Sequence, residues 1–194
     1  KAVPEGELVF ANEPLYSISG HSWQVEVVEA ALLNVVNSQF PVATKASRAV
    51  LAAGADGVER RVMEFGLRRA MELGGYSAAR AAFIGGCAAT SNPSAARDYG
   101  IPSSGTMAHS WVMSFEDETD AFKAFLKTYP HDGILLPDTY ETRQGIKNAV
   151  RASDETGIPL KGIRIDSGDL AYWSKEARKI LDESGKQDTR IIAS

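Results

Sequence analysis

The chain has 194 residues, 44% of them hydrophobic and 24% charged, which suits one soluble globular domain with an appendage. Its net charge of −4 argues against a nucleic-acid surface, which needs a basic stripe, and no apolar run approaches the ~20 residues of a transmembrane helix. No signal peptide is visible, and the single cysteine, Cys87, excludes an intramolecular disulfide; a cytoplasmic chain with neither nucleic acid nor membrane as partner is expected.

In chain order, residues 1–20 read as β. Leu8-Val9-Phe10 and Leu15-Tyr16-Ser17-Ile18 are separated by the turn chemistry of Asn12-Glu13-Pro14 and closed by Gly20. From Trp23 to about Asn37, Val25, Val28, Leu32 and Val35 or Val36 recur at helical spacing. A second helix is predicted from Thr44 to Ala53, stopped by Gly54.

After Gly57 strands and helices alternate. Strands are predicted near Val62–Phe65, Ala82–Gly85, Gly105–Ala108, Gly133–Leu136, Gly162–Ile165 and Arg190–Ala193, with helices near 76–81, 91–98, 118–128, 140–153 and 170–184. This rhythm of βα units predicts a parallel sheet covered by helices, either open and doubly wound or most of a barrel. The change of texture sets the expected boundary: 1–56 as part of an N-terminal α+β domain and linking helices, 57–194 as a partial α/β barrel. The chain starts without methionine and ends on a strand-like run, so an internal piece of a longer protein is expected.

Apolar runs end in polar, chemically able residues at Phe65-Gly66-Leu67-Arg68-Arg69, Gly85-Gly86-Cys87, His109-Ser110, Asp138-Thr139 and Arg164-Ile165-Asp166. In a barrel these would share the catalytic rim at the C-terminal ends of the strands. Arginines bind planar anions with two hydrogen bonds, glycines admit a ligand close to the backbone, and aspartates hold Mg²⁺ directly or through water. Such a rim suits a phosphorylated sugar with Mg²⁺. Each residue also has a plainer reading. Asp138, Ser167 and Asp169 stand where helix caps belong, Arg68 and Arg69 suit solvated surface, and His109 suits a hydrogen-bonded structural histidine. His21 and His131 lie in loop-like settings, and Cys87 reads as a small buried residue. The Gly100–Thr106 stretch lacks the lysine of a P-loop, and no Gly-x-Gly-x-x-Gly, His-Glu-x-x-His or paired Cys-x-x-Cys is present.

Taken together, Val3-Pro4-Glu5-Gly6, Asn12-Glu13-Pro14-Leu15, Glu29 with Leu32-Leu33-Asn34, Ala43-Thr44-Lys45-Ala46, Glu64-Phe65-Gly66-Leu67-Arg68-Arg69-Ala70, Gly105-Thr106-Met107-Ala108-His109-Ser110, Asp138-Thr139-Tyr140 and Arg164-Ile165-Asp166-Ser167-Gly168-Asp169-Leu170 resemble the nicotinate phosphoribosyltransferase family. The resemblance covers nearly the whole chain. It implies an irregular α/β barrel, here incomplete, preceded by part of a smaller N-terminal domain. It also implies an enzyme of NAD salvage that joins nicotinate to phosphoribosyl diphosphate, releasing nicotinate mononucleotide and diphosphate with coupled ATP hydrolysis. The implied partners are nicotinate, phosphoribosyl diphosphate, ATP as co-substrate, Mg²⁺ and a second copy of the protein in a homodimer.

Carried over by motif, His109 matches the transiently phosphorylated histidine and is catalytic with Asp166. Arg68 matches the base-pocket arginine. Arg164 and Asp166 match the pair lining base, ribose and diphosphate, and Asp138 matches an acid on the ribose and Mg²⁺ side. Gly85, Gly86, Thr106 and Ser110 are further substrate-binding candidates, and Asp138 and Asp166 are the candidates for Mg²⁺ through water. One segment departs from the family. Gly85-Gly86-Cys87-Ala88-Ala89-Thr90-Ser91-Asn92 lacks the aspartate that nicotinamide-using relatives place there, which favours a carboxylate base. Nicotinamide or quinolinate as base, and a non-catalytic binding or scaffold fragment, are the alternatives. The piece alone is expected to be inactive, because the resemblance places an N-terminal tyrosine and the last barrel strands outside it.

Overall fold

A computed structural model describes all 194 residues. Contacts within the chain divide it into two compact units, residues 1–105 and 106–194.

The first unit is built on one long helix, α1 (Ser22–Ala53), where two were expected. Pro41 lies inside it. A proline removes one intrahelical hydrogen bond but need not end a helix whose flanking turns continue. Against α1 packs α2 (Gly74–Ile84), whose buried face is made of Gly75, Ala79, Ala81 and Ala82. Such small residues let two helix backbones approach closely, and Ala46, Ala82 and Cys87 form a small core with Val42 and Val62 against it. The strand expected at Ala82–Gly85 is therefore the end of a helix. The strand of this βα unit comes later, at β2 (Ala89–Thr90), which pairs in parallel with β1 (Met63–Glu64). Then α3 (Pro93–Tyr99) begins with the side chain of Asn92 accepting from the amides of Ser94 and Ala95, and ends at Gly100 with φ 66°. In residues 1–20 the expected strands reduce to a single antiparallel bridge between Ala2 and Tyr16. The packing of α2 on α1 ties residues 57–105 to what precedes them, so the compact division falls after Gly105 and not at the change of texture near residue 57.

The second unit opens with an unpaired extended segment where a strand was expected at Gly105–Ala108, followed by a short helix, α4 (His109–Val112). After it come α5 (Glu118–Thr128), β3 (Ile134–Leu135), α6 (Thr142–Thr156), β4 (Gly162–Ile165), α7 (Leu170–Glu183) and β5 (Arg190–Ala193). The three strands form a parallel sheet in the order β3-β4-β5, with Ile134 opposite Gly162 and Ile165 opposite Ala193. Helix starts carry acidic caps: Asp117 for α5, Glu141 for α6 and Asp169 for α7, each accepting from amides of the first turn. Phe122, Leu126, Leu135, Leu136, Ile146, Ile163, Ile165 and Leu181 are fully buried at the centre. Each such side chain stabilises the fold by about 1.5–3 kcal/mol relative to exposure. This core fixes the ends of β3 and β4, where the polar residues begin.

Candidate active site

In the second unit the polar groups converge on the C-terminal ends of the strands. The buried run Leu135-Leu136-Pro137 leads out of β3 and delivers Asp138, whose side chain is fully buried. Its two oxygens are both used. Oδ1 lies 3.1 Å from His109 Nε2, and Oδ2 accepts the amide of Asp166 at 2.7 Å. The Asp138 carboxylate thus links the first residue of α4 to the loop after β4. It does not cap α6; Glu141 does.

Arg164 and Asp166 leave the end of β4 together. Arg164 Nη2 meets Asp166 Oδ2 at 3.0 Å, and Arg164 Nη1 donates to Thr106 Oγ1 at 2.9 Å. Ser194, just past β5, completes the cluster. Its hydroxyl accepts from Arg164 Nε at 3.1 Å and donates to Asp166 Oδ1 at 2.7 Å. Burial pushes the Asp166 carboxyl up, but the Ser194 hydroxyl, the Arg164 guanidinium and the His109 ring outweigh it and hold the group below the usual carboxylate range.

Of the residues read from the sequence, His109, Asp138, Arg164, Asp166 and Thr106 are therefore brought into one network. Ser110 is exposed on α4 and makes no side-chain hydrogen bond to them. Asp169, read as a cap or a ligand, is the cap of α7.

Metal binding fits the two aspartates unequally. No group of three His, Cys, Asp or Glu side chains converges as a ligand set. Asp138 is sealed from solvent with both oxygens spent on protein donors, so the Mg²⁺ role expected for it does not fit. The Asp166 side chain remains 23% exposed, which leaves room for contact with a hydrated cation.

Arg68, Gly85 and Gly86 belong to the first unit. Arg68 is exposed in the loop after β1 and makes no ion pair or hydrogen bond. That loop is held by Glu64, which accepts the Thr90 hydroxyl at 2.6 Å and the amide of Gly66. Gly85 and Gly86 each have a part in the packing of this unit. Their amides close the end of α2 on Ala81 and Phe83, and a Cβ on Gly85 would strike the Ala43 carbonyl and the Ala46 methyl of α1. Gly85 is thus a glycine of close helix packing, whereas Gly86 takes a φ of 100° that favours glycine. Cys87 is buried as expected, and burial, with the Glu64 charge beside it, raises its thiol.

Sequence reading missed Ser194 and Glu118. Ser194 had no signal, because its role depends on the register of β5 against β4. Glu118 opens α5 half-buried; Asn148 donates to its Oε2 at 2.9 Å, while Oε1 is buried without a partner, as is Thr139 Oγ1. Burial raises the Glu118 carboxyl; the Asn148 bond opposes this and the charges of Asp117, Asp138 and Glu141 add to it.

The nicotinate phosphoribosyltransferase family model matches residues 60–192, which include this whole network apart from Ser194. The chain belongs to the nicotinate phosphoribosyltransferase family. A nicotinate phosphoribosyltransferase of Bacillus subtilis is 47% identical over the full chain, and one of Mycobacterium tuberculosis is 40% identical. The chain spans 39% and 41% of the lengths of these curated relatives. The crystal structure of human nicotinic acid phosphoribosyltransferase superposes on 99% of the chain with a TM-score of 0.86 at 29% identity, and the chain covers 49% of it. A nicotinate-nucleotide pyrophosphorylase from Pyrococcus furiosus superposes on 80% of the chain and 40% of its own, with a TM-score of 0.70 at 26% identity. The incomplete α/β barrel expected from the sequence is thus the fold of the nicotinate phosphoribosyltransferase family. None of the helices is long and apolar enough to cross a membrane.

Proposed function

We propose that the protein containing this chain is a cytoplasmic, homodimeric nicotinate phosphoribosyltransferase that forms nicotinate mononucleotide and diphosphate, with coupled ATP hydrolysis. The bond from ribose C1′ to the diphosphate oxygen breaks, and a bond from C1′ to the pyridine nitrogen forms. The observation that supports this reading most directly is the His109–Asp138–Asp166–Arg164 network, in a chain of this family. A scaffold has no use for a carboxylate sealed between a histidine and the backbone of a second acid.

As the ribose carbon loses its leaving group it gains positive character, and the fixed charge of Asp166 stabilises it without reorganisation. Arg164, held in plane by Thr106, Ser194 and Asp166, offers its guanidinium to diphosphate oxygens. Arg68, free of protein partners, takes the nicotinate carboxylate. With Nε2 of His109 donated to Asp138, the lone pair lies on Nδ1, the nitrogen able to accept a phosphoryl group from ATP. The P–O bond to ADP breaks as N–P forms, and water later releases phosphate. Asp166 would hold Mg²⁺ through water, and the ion would supply positive charge to offset that of the leaving diphosphate.

The test uses the intact protein, given nicotinate or nicotinamide with phosphoribosyl diphosphate and Mg²⁺, with and without ATP. Mononucleotide formed from nicotinate, raised by ATP and losing that rise in His109→Ala, is the expected result. Activity on nicotinamide alone overturns the choice of base, and no activity on either returns a non-catalytic role.

A further inference from the structure

We propose that Ser194 is a positioning residue for this reaction: its hydroxyl sets the Arg164–Asp166 pair in the geometry that engages phosphoribosyl diphosphate. The inference rests on the function proposed above and adds a residue that the motifs do not mark.

The hydroxyl lies between the two charged groups. It has one proton and two lone pairs. The proton goes to Asp166 Oδ1 at 2.7 Å, and a lone pair receives Arg164 Nε–H at 3.1 Å. The two charged groups are thereby joined twice: directly, through Nη2 to Oδ2 at 3.0 Å, and through Ser194, Nε to Oγ to Oδ1. A direct contact alone leaves a guanidinium and a carboxylate free to rotate about it. The second link fixes both planes.

The hydroxyl is itself placed by the backbone. The Ser194 amide donates to Ile165 O at 3.0 Å, which continues the β4–β5 ladder one residue past Ile165 opposite Ala193. Strand pairing therefore sets the position of the hydroxyl, and the hydroxyl sets the side chains. Thr106 Oγ1 holds the far side of the same guanidinium at 2.9 Å and donates onward to Met107 O. In Ser194→Ala the direct ion pair survives, so the fold loses little, but Arg164 Nε and Asp166 Oδ1 lose their common partner. A misplacement of a fraction of an ångström to 1 Å at a reacting centre costs up to about 100-fold in rate.

The experiment compares Ser194→Ala and Ser194→Thr in the intact protein, by steady-state kinetics in each substrate, by calorimetric titration with phosphoribosyl diphosphate and by thermal unfolding. Ser194→Ala is expected to lower kcat/KM for phosphoribosyl diphosphate by roughly 10- to 100-fold, to weaken its binding in the calorimeter and to leave KM for nicotinate near wild type. Ser194→Thr, which keeps the hydroxyl, is expected to restore most of the loss, with both variants melting near wild type. An alanine variant that binds phosphoribosyl diphosphate and turns over like wild type overturns the proposal. So does an equal loss in folded alanine and threonine variants, or a loss that follows a lowered melting temperature with unchanged KM. A wild-type protein that makes no mononucleotide sinks the proposed function instead, and the calorimetric comparison then still decides whether the Ser194 hydroxyl orders a phosphoribosyl diphosphate site.

Discussion

The carboxylate of Asp138 holds the His109 ring with one oxygen and the backbone amide of Asp166 with the other, at 3.1 Å and 2.7 Å. One buried group thereby sets both the histidine and the loop that carries the second acid. In Asp138→Asn the amide nitrogen faces either the Asp166 N–H, a donor, or His109 Nε2, which can accept from it only by moving the ring proton to Nδ1. The variant is expected to lose about 1–3 kcal/mol in a urea titration, because the charged acceptor shared by the two donors is gone. Its turnover is expected to fall at least roughly 100-fold through the freed histidine. Wild-type stability and turnover together in this variant would show that the carboxylate does not organise the site.

Arg68 should behave in the opposite way. It is exposed and spends no hydrogen bond on the protein. Arg68→Ala is expected to change unfolding free energy by less than about 0.5 kcal/mol, as surface substitutions do. The same variant should raise KM for nicotinate by roughly 10-fold or more, through loss of a charge-assisted bond. Unchanged nicotinate kinetics would remove Arg68 from the base pocket.

Gly145 supplies a test of how the site is held from behind. It lies in α6, and a Cβ there would overlap the carbonyl of Pro137, the residue before Asp138. Gly145→Ala is expected to push that carbonyl aside, costing about 1–3 kcal/mol by overpacking. Turnover is expected to fall further than the folded fraction does, because Asp138 shifts with its neighbour. If activity per folded molecule is unchanged, α6 does not position Asp138.

Glu118 sets a pH dependence. Burial raises its carboxyl above the ordinary 4.5, so the folded state holds a proton that the unfolded state has released. Over that window the unfolded chain binds fewer protons, and stability falls as pH rises. The contribution is complete below the unfolded value and is lost as pH passes the raised folded value. Glu118→Gln keeps an acceptor for Asn148 and carries no charge. It is expected to gain melting temperature relative to wild type at pH 7 and to lose that advantage at pH 4, as read by thermal unfolding at both. An advantage that stays constant with pH would assign the effect to packing.

Much of the second unit was legible in sequence. α5, β4 and β5 stand where the alternation of apolar runs and helical segments placed them, since an apolar run between two amphipathic helices leaves few alternatives. The first unit was harder. Two helices were expected between Trp23 and Ala53, yet α1 runs through Pro41 as one, because packing on α2 outweighs one lost hydrogen bond. The run Ala82–Gly85 was expected as a strand, and burial of small residues against α1 makes it the end of a helix instead. Of the network, the members with charge or a ring were visible as residues that follow apolar runs. Ser194 was not, because a serine acquires meaning there only from strand register.

The network also determines where the second unit tolerates a change in length. Asp138, Arg164, Asp166 and Ser194 lie at the C-terminal ends of the strands, while the connections at 129–133, 157–161 and 184–189 enter at the other ends. A residue inserted in one of those connections lengthens a loop at low entropic cost and moves nothing at the rim. The same residue inserted in β4 would turn Arg164 and Asp166 to opposite sides of the sheet from their present partners, since strand side chains alternate. Drift in loop length is therefore cheap on one side of this fold and destructive on the other, and the difference follows from which end of a four-residue strand the insertion reaches.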